Sequence, residues 1–425
     1  MDQLLEELLT NIFECLFVRD LDSVALVCKQ YARLVTPLLL LRTLVARPQL
    51  GGCVEYLAFR FWYGDEIPSV SIGNLAQSLE SAAESYKGSA LYPELAVQLS
   101  EPSTDAVAAL VLSRLPNVRT LRLGMVPWDD DTESTVNYNC TLAIRTIEAA
   151  IATPFVGSNE ILSNLTNMIL DGSPGDVGFN WHIRVLSLFL RLPSLRKITA
   201  TNACSGPKVA GWACLPKTSN VTGITLLESE LGVDALVKTL RACKTLKTLH
   251  WHTQCLGCDA GDQDLRQALC DELATHAASL GHLSLHSRTC CAVESALAAA
   301  PGWFAKFPVL ERLELGDGLC EYEHSDTAWR DGLQFSLPIS LRHLGMPQFW
   351  RVVNLVDKVA ATFARVPRLE TYEVLDGVQW EDAEAQWKRF QVEDRGRHVM
   401  VRRDEEGVEM GEGEALVRFE RVGAE

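Results

Sequence analysis

A short segment of the form L-x-x-L-x-L recurs along this chain, and it limits the possible folds more than any other feature. It reads LPNVRTLRL from Leu115, LSNLTNMIL from Leu162, LPSLRKITA from Leu192 and VTGITL from Val221. Further copies stand at Leu246 (LKTLHW), Leu280 (LGHLSL), Leu310 (LERLEL) and Leu341 (LRHLGM), with a weaker copy at Leu369 (LETYEV) and an opening one at Val54 (VEYLAF). Self-similarity of this kind is the mark of a stacked supersecondary unit. Between positions 165 and 369 the anchors are 25 to 34 residues apart, and no regular asparagine or cysteine ladder accompanies them. The intervals from 54 to 118 and from 118 to 165 are longer, which predicts insertions, among them the polar loop VPWDDDTESTVNYN at 126–139. Loops of that size on repeat arrays often carry binding.

Helix-like stretches precede several of these segments. GVDALVKTLRAC leads into Leu246, and DLRQALCDELATHAASL places Leu265, Leu269, Leu273 and Leu280 on one face at three-and-four spacing. A helix, a turn and a short strand cannot bury both apolar faces alone, but stacked copies bury them in one continuous core. The expected architecture is therefore α/β, with short parallel strands and outer helices forming an irregular solenoid over residues 47–375. The leucines of each strand point inward, so the residues between and just after them face the concave sheet. That rule selects Arg119, Arg122, His250, His252, Ser284, His286, Glu314 and Glu373 as candidate partner-binding residues. From 376 to 425 the chain is charged, and RHVMVRR and EALVRFER alternate apolar with polar residues, predicting a terminal hairpin or an acidic tail.

The first 46 residues have a different character. Leu5, Leu8, Leu9, Ile12, Phe13 and Leu16 recur at helical spacing. Asp20 can cap a second helix that carries Leu21, Val24, Cys28, Tyr31 and Val35. Thr36 and Pro37 start a third, running to Ala46. Three helices this short cannot enclose a large core and lean on a neighbour or a partner.

This stretch resembles an F-box, through Glu6 or Glu7, Leu8, Leu9, Ile12, Phe13, Leu16, Asp20, Leu21, Val27, Cys28, Lys29 and Leu34. It departs from the family at Leu5, where proline is usual, and at Tyr31, where tryptophan is commoner. The resemblance implies that Leu5, Leu8, Leu9, Ile12, Phe13, Leu16, Leu21, Val24, Val27, Cys28 and Tyr31 dock on Skp1 and, through it, on a cullin-RING ubiquitin ligase. The repeats resemble the leucine-rich-repeat arrays that follow the F-box in diverged, fungal-like substrate receptors. Together they imply a non-catalytic adaptor of an SCF-type ligase that captures an unknown target for ubiquitin-dependent degradation. A ligase-independent repeat scaffold is the alternative, with residues 1–46 serving as a helical cap.

Composition narrows the remaining classes. A net charge of −16 disfavours nucleic acid, which needs a basic face. No uninterrupted apolar run reaches the ~20 residues of a membrane helix. The acidic start, MDQLLEELL, lacks a secretory signal, and 13 scattered cysteines read as reduced thiols, so a cytoplasmic or nuclear location is expected. His250, His252, Cys255 and Cys258 could in principle bind zinc, but a second C-x-x-C is missing and Cys290 and Cys291 are adjacent, so strand-face histidines beside a loop thiol pair is the adopted reading. Asp129, Asp130 and Asp131 lack the spacing of a calcium loop. With no phosphate-binding, nucleophile-elbow or zinc-protease motif, neither an enzyme nor a cofactor is expected.

Overall fold

In the computed structural model every one of the recurring segments ends in a β-strand. The structure describes residues 40, 41, 43–60, 95, 104–124, 141–152, 162–172, 181–205, 212–253, 263–287, 303–315, 337–346, 362, 365–379, 398–403 and 414–421. Strands are numbered in chain order: β1 (Tyr56–Arg60), β2 (Thr120–Gly124), β3 (Asn167–Asp171), β4 (Trp181–His182), β5 (Lys197–Thr201), β6 (Ala203–Cys204) and β7 (Gly223–Ser229). They continue with β8 (Thr248–Thr253), β9 (His282–Ser287), β10 (Arg312–Leu315), β11 (His343–Met346), β12 (Thr371–Gln379), β13 (His398–Arg403) and β14 (Glu414–Arg421). The α-helices used below are α1 (Thr104–Leu112), α2 (Thr141–Ala152), α3 (Ile183–Phe189), α4 (Val233–Ala242) and α5 (Gln263–Thr275).

The chain divides into two compact units, Met1–Asn180 with Leu192–Leu195, and Trp181–Arg191 with Arg196–Glu425. In the first, β1, β2 and β3 lie side by side, parallel and in chain order. In the second, β5, β7, β8, β9, β10, β11 and β12 do the same. β14 then adds antiparallel to β12, and β13 antiparallel to β14, so the alternating segments near the end form the expected hairpin. β4 and β6 make a separate two-stranded parallel pair. The class is α/β, with parallel strands that follow chain order in each unit.

Each turn before a strand seals itself with main-chain bonds. The carbonyl of Lys247 accepts from the N–H groups of Gly281 and His282 at 2.9 and 3.0 Å. Gly281 accepts from Glu311 and Arg312, Glu311 from Arg342 and His343, and Arg342 from Glu370 and Thr371, in the same two-to-one pattern. In the first unit Glu55 accepts from Arg119 and Thr120, and Arg119 from Thr166 and Asn167. This ladder satisfies the backbone groups that each strand start would otherwise leave bare.

Side chains reinforce it one residue before the buried anchor. Asn117 Nδ2 donates to the Gly52 carbonyl (2.7 Å) and Asn164 Nδ2 to the Pro116 carbonyl (3.3 Å). Ser194, Ser279 and Ser340 donate to the carbonyls of Leu162, Leu246 and Leu310. The ladder absent from the sequence as a one-letter pattern is thus present as backbone and mixed Asn/Ser bonds.

The inward residues of the strands form the core: Leu121, Leu123, Met168 and Leu170 in the first unit, and Ile224, Leu249, Leu283, Leu313 and Leu344 in the second, each at most 3 % exposed. Burying such a side chain contributes about 1.5–3 kcal/mol. The turn anchors Leu246, Leu280, Leu310, Leu341 and Leu369 are fully buried beside them. At Gly51 a Cβ would lie 2.2 Å from the Arg114 carbonyl oxygen, so the first-unit turn requires glycine there.

The helix ahead of Leu246 is α4, and α5 packs on it. Leu269 and Leu273 are buried on α5 as expected, but the helix stops at Thr275. Leu280 belongs instead to the following turn, where it anchors β9. The long sequence intervals hold α1 and α2. Helix α1 carries apolar residues on every side, and Ala106 to Leu112 are all buried, which is why no amphipathic period announced it. Of the opening unit, residues 43–46 are helical and Leu41 and Leu44 are 1 % exposed, with the helix ending at Ala46 as predicted. Among the described residues no helix is long and apolar enough to cross a membrane.

Candidate functional site

The period-two alternation of a strand sends one set of side chains inward and the other outward. In the second unit the parallel register lines the outward residues into rows. Thr248, His282, Arg312, His343 and Thr371 share the first row. His250, Ser284, Glu314, Gly345 and Glu373 share the second, and His252 and His286 begin a third. Five of the chain's nine histidines therefore stand on one stretch of sheet.

Glu314 is at its centre. Its Oε1 accepts from Arg312 Nε at 2.6 Å and lies 2.5 Å from Arg312 Nη2, a two-point pairing made possible because residues two apart on a strand share a face. The Glu314 side chain is 14 % exposed. Burial alone would push its carboxyl upward; hydrogen bonding and charge from Arg312, a hydrogen bond with Ser284 and the nearby His250 together hold it below the ordinary range. Ser284, although on the outward face, is only 1 % exposed, roofed by these neighbours. Burial lowers the pKa of His250, Glu314 opposes that by charge, and His282 and Arg312 add to it.

The third row is built by a bulge. Leu226 pairs with Trp251 and Ser229 with Thr253, so Leu227 and Glu228 of β7 stand opposite the single residue His252. Glu228 takes a φ of 48°, in the left-handed region. Beyond the bulge Ser229 Oγ donates to the His252 carbonyl at 3.1 Å and Thr253 Oγ1 to the Ser229 carbonyl at 2.8 Å. The His252 and His286 rings lie 4.2 Å apart, tilted, and Ser284 Oγ is 3.5 Å from His252 Nε2. At the other side His343 Nδ1 meets Thr371 Oγ1 at 2.6 Å.

His250, His252, Ser284, His286 and Glu314 are thus brought together as the concave-face rule proposed. Glu373 sits in the same backbone row, paired with Gly345 and Arg418. Arg119 and Arg122 are not part of this group: they belong to the first unit, where Arg122 pairs with Asp171 and Arg119 lies 3.8 Å from Glu55 with both side chains exposed. Sequence reasoning missed His282, Arg312 and His343, each one residue before the first leucine of its strand. Extending the period-two rule one step backward finds all three. Leu5, Leu8, Leu9, Ile12, Phe13, Leu16, Leu21, Val24, Val27, Cys28 and Tyr31 lie outside the described residues, as do the 126–139 loop and Cys255, Cys258, Cys290 and Cys291.

The face offers hydrogen-bond donors, acceptors and titratable imidazoles, which suits it to binding. Among the described residues no group of three or more His, Cys, Asp or Glu is arranged to hold a metal ion. Burial pushes the Cys243 thiol up to about 12 and that of Cys270 up to about 11, which keeps both in the unreactive thiol form. The chain matches neither a model of a known protein family nor a curated protein.

Proposed function

We propose that this protein is a substrate-recognition adaptor of an SCF-type ubiquitin ligase. Residues 1–46, which resemble an F-box, bind Skp1, and the repeats form a leucine-rich-repeat solenoid that captures a target protein. The observation that carries the second half is the register of the second unit: seven parallel strands in chain order, leucines inward, a polar histidine-rich row outward. Concave faces of stacked repeats are habitual ligand surfaces. A rigid array also suits the mechanism, because it holds captured protein at a fixed distance from the ligase and so raises the effective concentration of target lysines. The transfer chemistry belongs to the other subunits.

A pull-down with purified Skp1 tests the first half. Wild type binds, while Ile12→Asp and Leu16→Asp, which place charge on the apolar helix face, lose binding; equal absence of binding in all three rejects the assignment.

The burial of Leu41 and Leu44 favours a second reading, in which residues 1–46 are a helical cap on a scaffold outside any ligase. Deleting 1–46 separates the two. A cap leaves apolar repeat surface bare and the truncated protein aggregates, whereas an independent F-box is removable with the rest still monodisperse.

A further inference from the structure

We propose that the outward face of β8 to β11 binds an acidic peptide segment and takes up protons as it does so. This deepens the adaptor function above, since it assigns a chemistry to the capture surface.

His250 and His252 on β8, His282 and His286 on β9, and His343 on β11 span a stretch of sheet four strands wide. At about 4.8 Å per strand that is a field some 15 Å wide. A single phosphate would meet one or two of these rings; a peptide bearing several carboxylates meets the whole field. The fixed charges around them nearly cancel. From β5 comes Lys197, from the β7 bulge Glu228, and from β10 Arg312 and Glu314. Beside the field, Glu373 of β12 shares the second row and pairs with Arg418 of β14, and Thr371 pairs with Glu420. The other outward groups are uncharged: Thr199, Gly223, Thr225, Leu227, Thr248, Ser284 and Gly345, with Thr371 itself. Glu314, the one carboxylate at the centre, is engaged by Arg312 and Ser284.

The sign of the face is therefore set by the histidines, in a chain whose net charge is −16. Each imidazole that gains a proton makes the face more positive against that background. Carboxylates docked beside the rings favour the imidazolium form, so bound peptide draws protons from solvent. At His250 burial lowers the pKa in the free protein, and a carboxylate docked beside the ring opposes that effect. Nucleic acid is the weaker fit, because phosphate-backbone affinity comes from several fixed lysine and arginine charges, and Arg312 is the one such residue among the outward positions described on β8 to β11.

The test uses the full-length protein and a fluorescent decaglutamate peptide, followed by anisotropy at constant ionic strength from pH 8.0 to 6.0. One proton taken up per bound peptide gives about tenfold in affinity per pH unit in the limiting region. The expected result is at least a tenfold gain across the range, with a decaglutamine peptide failing to bind. The His250→Gln/His286→Gln double variant loses most of the gain. The exposed single variant His282→Gln, which leaves packing untouched, binds the peptide more weakly at pH 6.0. Affinity that is independent of pH, a double variant and a His282→Gln variant that both bind as tightly as wild type at pH 6.0, or equal competition by an oligouridylate would each overturn the proposal. Skp1 capture by the same preparation keeps the outcomes apart: Skp1 binding without peptide binding removes this inference alone.

Discussion

The amide of Leu246 donates to Nδ1 of His276 at 3.3 Å, and Nε2 of the same ring lies 3.1 Å from the Leu240 carbonyl. One ring thus ties the last turn of α4 to the anchor of the next strand. With Nδ1 accepting, the ring proton sits on Nε2 and the imidazole is neutral. The side chain is 1 % exposed, and burial lowers its pKa below 6.5, opposed by the Leu240 hydrogen bond. A histidine whose folded pKa is depressed binds a proton more readily in the unfolded chain, so the stability it contributes is present above 6.5 and is lost as pH falls below it. His276→Ala is expected to cost about 1–3 kcal/mol at pH 8 through the Leu246 amide that loses its acceptor, while the Leu240 carbonyl keeps its bond from the Cys243 N–H. The gap between wild type and variant narrows toward pH 5.5. Urea unfolding at several pH values reads both effects.

Asp105 of α1 works with the opposite sign. Its two carboxylate oxygens accept from the N–H groups of Leu142 and Ala143 at 2.7 and 2.8 Å, capping α2 from a neighbouring helix. Burial nevertheless dominates and raises its pKa to about 7, with the two amides pulling the other way. A carboxyl that is easier to protonate in the fold than in the unfolded chain makes the protein lose stability as pH rises, here from 3.8 to about 7. Asp105→Asn keeps an acceptor and cannot ionise, so the fall in stability across that window flattens; Asp105→Ala removes both bonds and lowers stability throughout. Thermal unfolding of the three proteins at pH 5 and pH 8 distinguishes them.

The strands were legible because leucine spacing reports directly on which residues are inward, and all the L-x-x-L-x-L segments led to one. Helix α5 was legible for the same reason over Leu269 and Leu273, but its end was not. Leu280 keeps helical phase with them while belonging to a turn, since phase alone does not mark where backbone hydrogen bonding stops. Helix α1 was missed because a helix buried on all sides has no polar face to set the period. In the candidate site, His250, His252, Ser284, His286 and Glu314 followed from alternation. The pairing of Glu314 with Arg312 and the bulge at Glu228 did not. The first requires knowing that the residue before the leucine also faces outward, and the second is a departure from the very alternation that sequence reasoning assumes.

The core and the surface should respond very differently to the same truncation. Leu249 and Leu313 are fully buried, whereas Ile339 is 75 % exposed on the turn before β11. Leu249→Ala or Leu313→Ala removes packed methyl groups and leaves a cavity, at about 2–5 kcal/mol each. Ile339→Ala changes stability by less than about 0.5 kcal/mol. Denaturant midpoints for the three variants check this, and a large loss from Ile339→Ala would mean that its side chain is covered in solution.

The Arg312–Glu314 pair makes the sharpest prediction about the site. Glu314 is held below its usual pKa only because Arg312, Ser284 and His250 outweigh a burial effect that is individually the largest influence on it. Replacing Arg312 by methionine preserves most of the side-chain volume and removes both of its hydrogen bonds and its charge. Burial then prevails, so the Glu314 carboxyl moves from below the reference value of 4.5 to above it. His250 loses a repelling cation, and its own pKa rises in the same variant. Carbon-13 NMR titration of the Glu314 carboxyl with proton detection of His250 follows the two shifts together. A Glu314 carboxyl that stays below 4.5 in Arg312→Met would show that Ser284 and His250 alone hold the charge, and that the guanidinium is dispensable to the face.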